Sequence, residues 1–199
     1  FTSNNASGIY MSILLEPTFS LEQAKKLTCL AAVATSSAID QLANVETKIK
    51  WVNDIYLNSK KISGILTEAA TSIEQGSLEY AIIGIGINMY HQEFNEDIRK
   101  IATSIEDETN QIISRNDLII AIINQIDKYI QHMDDQIYMD EYIKKSFIIG
   151  KYVELYKNNQ LFKAKVLSIT KNGELQVMIN NEVQIVSSGE ITRMVITNE

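Results

Sequence analysis

The chain has few of the residues that would staple it, break it or carry it across a membrane. It contains one cysteine, Cys29, which excludes an internal disulfide and any thiolate metal cluster. Cys29 lies in an apolar helical pattern and reads as a small core residue, in keeping with a reducing, cytoplasmic setting. The only proline, Pro17, closes the first strand-like run. His91 and His132 stand far apart, without cysteine or glutamate partners at metal spacing, and read as surface or structural residues. No apolar run approaches the ~18 residues of a bilayer span, no signal peptide is read, and no membrane partner is expected. Positive charge is scarce. Eighteen Lys and Arg face 25 Asp and Glu, leaving a net charge of −7, which argues against non-specific nucleic-acid binding. No Ser-His-Asp or Cys-His arrangement stands out, so covalent catalysis by the protein is not expected.

What is present is ordinary globular material, 45% hydrophobic and 22% charged, in 199 residues: one large domain, or a larger and a smaller one. Gly8 to Leu15 is β-rich and apolar on both faces, which predicts a buried strand. Ser20 and Gln23 have capping-box spacing, and behind them Leu27, Leu30, Ala34, Ala38 and Leu42 predict a helix with one apolar face. Lys48 to Trp51 reads as a strand and Asn53-Asp54 as a turn or bulge signal. Ile55 to Leu57 and Ile62 to Thr67 read as an antiparallel pair, and Tyr80 to Met89 as a central strand. Asn116 or Asp117 is the expected cap of a helix striped by Ile119, Ile123, Ile126 and Ile130, and Tyr138 to Lys145 reads as a short third helix. After Gly150 the texture changes to short alternating segments with a hairpin signal at Asn172-Gly173. About five short strands suggest a small SH3-like barrel. The expected fold is α+β: a mixed sheet packed with helices over 1–146, then a small β domain over 147–199.

Two runs carry the chemistry. The first is Lys50-Trp51-Val52-Asn53-Asp54, followed by Lys60-Lys61-Ile62-Ser63-Gly64-Ile65-Leu66; the second is Gly84-Ile85-Gly86-Ile87-Asn88. Glycines inside strands mark places where another group approaches the backbone. The second run is no dinucleotide fingerprint, because Met89 stands where the third glycine belongs. An amide such as Asn88 can donate and accept against a heterocycle edge at once. Asp54 is placed to help hold Mg²⁺ beside a phosphate, with Asn53 bonding a nucleotide. Lys61 precedes Gly64 by three residues, where an ammonium reaches the charged end of a ligand lying on the glycine; Lys50 and Lys60 compete for that role on spacing alone.

In these motifs the chain resembles biotin protein ligases, which make biotinyl-5′-AMP from biotin and ATP and pass biotin to a carrier-protein lysine. The family pattern Lys-Trp-Pro-Asn-Asp, Lys-x-x-Gly-x-Leu, Gly-x-Gly-x-Asn and Ala-Thr-Ser is met, in order, by Lys50 to Asp54, Lys61 to Leu66, Gly84 to Asn88 and Ala102 to Ser104. The resemblance implies a class II synthetase-like catalytic fold. It makes Lys61 the key catalytic lysine, on biotin's carboxylate and the α-phosphate. Lys61, Gly64, Leu66, Gly84 and Gly86 would line the biotin pocket. Phe1, Asn53, Asp54, Ile87, Asn88 and Ala102 would surround the nucleotide, with Asp54 on Mg²⁺. It also implies a biotin carboxyl carrier protein, of acetyl-CoA carboxylase or pyruvate carboxylase, as partner, a possible homodimer, and DNA only if a helix-turn-helix domain precedes the chain. The alternatives are a lipoate-type ligase and a non-catalytic biotin-binding or regulatory module. Two departures are visible. Val52 replaces the family's proline, which predicts a looser turn. The family's Gly-Arg-Gly-Arg-x-x-Arg loop would lie upstream of Phe1, so the chain by itself is expected to be a poor or inactive ligase.

Overall fold

Strand alternation and short turns organise the first half. The computed structural model describes residues 7–16, 19–72, 77–157 and 159–195; Phe1 and Pro17 lie outside them. Strand β1 (Gly8–Leu15) leads to a one-turn helix α1 (Leu21–Ala24) and then α2 (Leu27–Ala43). Next come β2 (Lys48–Lys50), β3 (Asp54–Leu57), β4 (Lys60–Thr71) and β5 (Leu78–Asn88). Their sheet has the order β1-β5-β4-β3-β2, with every neighbour antiparallel. The expected mixed sheet is therefore antiparallel, because β2 to β5 follow one another through connections too short for a parallel crossover. Among the described residues, parallel geometry is confined to isolated bridges, Ile49 with Ser146 and Lys61 with Ala102. β5 is central, as expected. β1 is not the buried strand its composition suggests: it has one partner among the described residues, and Tyr10 and Leu14 are exposed.

One face of this sheet is closed by α2. Ile9, Ile49, Ile55, Ile65, Ile83, Ile85 and Ile87 point to it and are buried. Thr28 and Thr67 share a hydroxyl hydrogen bond across the contact, and alanines 31, 32, 34, 38 and 43 of the helix are buried. Each buried isoleucine contributes about 1.5–3 kcal/mol by leaving water. The capping box is formed: Ser20 Oγ accepts from Gln23 N–H, and Gln23 Oε1 accepts from Ser20 N–H. It starts only α1, and α2 begins separately at Leu27.

Two short helices follow, α3 (Glu96–Arg99) and α4 (Ile105–Thr109), then α5 (Arg115–Gln131) and α6 (Ile137–Lys145). α2 is buried nearly all round because α5 and α6 cover the side turned away from the sheet. The cap of α5 is Ser114, whose hydroxyl accepts from Asp117 N–H; Asn116 and Asp117 sit in the first turn instead. Its buried stripe is Leu118, Ile122, Ile126 and Tyr129, and Ile123 is exposed. The run is so rich in isoleucine that two adjacent stripes satisfy helical spacing, and packing against α2 selects one.

The last five strands are β6 (Tyr152–Lys157), β7 (Gln160–Ile169), β8 (Leu175–Ile179), β9 (Glu182–Val186) and β10 (Glu190–Val195). They form an antiparallel sheet in the order β10-β6-β7-β8-β9. The Asn172-Gly173 turn joins β7 to β8, with Gly173 at φ +79°. Its tip reaches the first unit: the Trp51 indole N–H donates to the Gly173 carbonyl at 2.8 Å, and a Cβ on Gly173 would meet Cys29 Sγ at 2.8 Å. No described helix is long and apolar enough to cross a membrane.

Candidate active site

The register of the first sheet places the two motif runs side by side on the face that α2 leaves open. Gly64 lies between Asp54 and Gly86, Lys50 is opposite Asp54, and Tyr10 is opposite Gly86. One row across five strands thus reads Lys50, Asp54, Gly64, Gly86, Tyr10. The next row holds Leu66, Gly84 and Ser12. Three strand glycines with no side chains leave a hollow of about 410 Å³, floored by Gly64, Gly84 and Gly86 and walled by Tyr10, Ser12 and Leu66. Leu66 is 62% exposed, an apolar surface that a ligand would cover. A Cβ on Gly84 would make only ordinary contacts, 3.5 Å to the Leu66 carbonyl, so its glycine is not needed for local packing.

Lys61 stands at the edge of this hollow. Its ammonium lies 2.6 Å from Asp54 Oδ1, with the two side chains 32% and 18% exposed. Such a pair can open toward a ligand without stranding a buried charge. Its backbone is fixed by the Ala102 segment: Lys61 N–H donates to the Ile101 carbonyl at 2.9 Å, and Thr103 N–H donates to the Lys61 carbonyl at 3.0 Å. A second cavity, about 320 Å³, lies beyond it, lined by Lys50, Trp51, Asp54, Lys61 and, from the C-terminal sheet, Glu190. Lys61 and Asn53 border both cavities. Lys50 faces the second one with its pKa lowered, chiefly by burial; Asp54 and Glu190 act against that, and Lys61 adds to it.

The two amides hold the frame. Asn53 Nδ2 donates to the Ile65 carbonyl at 2.7 Å while Ile65 N–H donates to the Asn53 carbonyl at 3.0 Å, clipping the turn to β4 beside Gly64. The turn is also held where the family has proline, by the Tyr142 hydroxyl donating to the Val52 carbonyl at 2.9 Å. Asn88 is buried and donates to the Thr103 carbonyl at 3.0 Å, tying β5 to the segment that positions Lys61. Ile87 turns its side chain to the closed face, leaving only its main chain near the open one. Sequence reasoning missed Tyr10 and Ser12, which alternation along β1 could have placed beside the glycines. It also missed Glu190, for which no local signal exists. Among the described residues no group of three or more His, Cys, Asp or Glu is arranged to hold a metal. His91 and His132 pair instead with Asp107 and Asp135 at the surface.

A sequence model of the biotin/lipoate A/B protein ligase family matches residues 3–88. The chain is 33% identical over 194 residues to the bifunctional ligase/repressor BirA of Bacillus subtilis, covering 95% of this chain and 59% of that protein. These likenesses are to biotin ligases. It is also 25% identical over 175 residues to the biotin–[acetyl-CoA-carboxylase] ligase of Mycobacterium tuberculosis, covering 84% of this chain and 62% of that one. It spans about three fifths of the length of these curated relatives. The biotin protein ligase of Aquifex aeolicus, solved in complex with biotin and ATP, superposes with a TM-score of 0.79 at 24% identity, over 95% of this chain and 79% of that one. That likeness shows the α+β fold.

Proposed function

We propose that the chain carries the ligation chemistry of an ATP-dependent biotin protein ligase. Residues 1–146 form the catalytic unit and 147–199 a C-terminal β unit. The observation that carries this reading is the position of Lys61 on the border between a glycine-floored hollow and a charged cavity. The hollow suits biotin: bare backbone at Gly64, Gly84 and Gly86 admits a compact fused ring system, and Leu66 covers it. The biotin carboxylate then ends at Lys61. Its oxygen attacks the α-phosphorus of ATP, a P–O bond forms, and pyrophosphate leaves with the electron pair of the bond that breaks. Two anions must meet, so a positioned ammonium supplies much of the stabilisation. In the second step a carrier lysine amine attacks the acyl carbon, the C–N bond forms, AMP leaves, and a proton passes to solvent. Asp54 is the residue that fits Mg²⁺, as a single carboxylate beside nucleotide phosphates, the usual protein share of such a site. Asn53, Ala102 and the main chain near Ile87 and Asn88 border the nucleotide, and Phe1 is proposed there from its motif position.

The acceptor is a biotin carboxyl carrier protein, of acetyl-CoA carboxylase or pyruvate carboxylase. The name of the Mycobacterium tuberculosis relative supports the first. A cytoplasmic setting accords with the free, buried Cys29. Homodimerisation belongs to the same reading, as does DNA contact where a helix-turn-helix domain accompanies the chain; sedimentation and operator binding test them. Pyrophosphate exchange in the protein that carries this chain decides the substrate. Exchange with biotin and not with lipoate supports the reading. Exchange with lipoate alone, or tight biotin binding with no exchange, overturns it.

A further inference from the structure

A groove of about 390 Å³ lies next to the site, at the junction of the two sheets. Tyr56 and Phe147 form its floor, with ring centroids 5.3 Å apart. Ile101 and Met194 border it and are 65% and 43% exposed, so apolar surface is left open to water on both sides. Lys48, Lys50 and Lys100 line it against one carboxylate, Glu46. In a chain of net charge −7 this is a local reversal of sign. Lys48 pairs with Glu46, and Lys100 with Asp97 at 3.3 Å; pairs this exposed exchange partners at little cost. The groove is continuous with the catalytic strand. Lys50 lines both the groove and the charged cavity that holds Lys61, and the Ile101 carbonyl is the main-chain partner of Lys61 N–H.

We propose that this groove docks the acceptor protein, through an acidic segment with an apolar anchor adjoining its acceptor lysine. The inference rests on the ligase reading of the neighbouring site. An apolar floor ringed by charge is the anatomy of a protein interface. Lysines on the rim steer an acidic partner and raise its association rate. Seated there, the partner directs its lysine past Lys50 into the charged cavity, where Asp54 and Glu190 attract the ammonium and Lys61 marks the acyl carbon. The small size of the groove suits a transient enzyme–substrate encounter.

The test uses the protein that carries this chain, with the carrier domain of acetyl-CoA carboxylase as acceptor, at saturating biotin and ATP. The variants are the double charge reversal Lys48→Glu with Lys100→Glu, and Met194→Asp. Each is expected to raise KM for the carrier domain at least tenfold and to leave biotin-dependent pyrophosphate exchange unchanged. Lys48→Arg with Lys100→Arg restores the wild-type KM. Raising salt increases the wild-type KM and not that of the double reversal. Normal exchange with an unchanged carrier KM in both variants overturns the docking proposal and leaves the ligase reading standing. Absence of exchange in the wild type overturns the ligase reading, and the docking proposal with it.

Discussion

The two faces of the first sheet are built from the same strands and do opposite work. On the closed face, isoleucines of β1 to β5 are buried beneath α2. On the open face, at alternate positions of those strands, stand Gly64, Gly84, Gly86, Ser12, Asp54 and Lys50. A strand turns successive side chains to opposite faces, so Gly-Ile-Gly-Ile in β5 is at once a core segment and the floor of the hollow. Stability and binding are thereby assigned to different residues one position apart, and substitutions can separate them.

Lys61→Ala should give the largest effect, a loss of about 100- to 1000-fold in biotinyl-adenylate formation, the scale of removing one group that stabilises developing charge. Melting temperature should stay near wild type, since Lys61 is partly exposed. On the closed face, Ile83→Ala should lower unfolding free energy by about 2 kcal/mol or more, measured by urea titration, while biotin affinity of the folded protein is unchanged. Gly84→Ala should do the reverse. Its Cβ meets nothing closer than 3.5 Å, so stability should hold, but the methyl enters the hollow and should weaken biotin about tenfold or more by calorimetry. Gly173→Ala tests the contact between the two sheets. The residue has φ +79° and no room beside Cys29 Sγ, so a loss of about 1–3 kcal/mol is expected. Cys29 reports on the same contact. Burial pushes its thiol up to about 12, so it should resist alkylation at pH 8 in the wild type and react measurably faster in Gly173→Ala.

Much of this was legible in the sequence because the site is local. Gly64, Leu66, Gly84 and Gly86 lie at alternate positions of adjacent strands, so period-two alternation puts them on one face; Lys61 is out of phase with them, and a bulge at Ile62 shifts its register against β3. The α+β class followed from helical stripes before Gly150 and short alternating segments after it. What was not legible depended on packing partners distant in sequence. Glu190 reaches the charged cavity from the other sheet, and Gly173 reaches Trp51 across 122 positions. The stripe of α5 was ambiguous until α2 chose between two isoleucine rows. Asn88 looked like a free amide for a heterocycle. Its partner, the Thr103 carbonyl, is fixed only by the fold.

The most direct test of the open face as the biotin site is a titration of ¹⁵N-glycine-labelled protein with biotin, followed by NMR. The eight glycine amides sample both regions. Gly64, Gly84 and Gly86 should shift in parallel with biotin occupancy, while Gly150 and Gly173 hold still. Saturable biotin binding that leaves those three amides unmoved, or that moves Gly150 or Gly173 instead, would contradict the assignment.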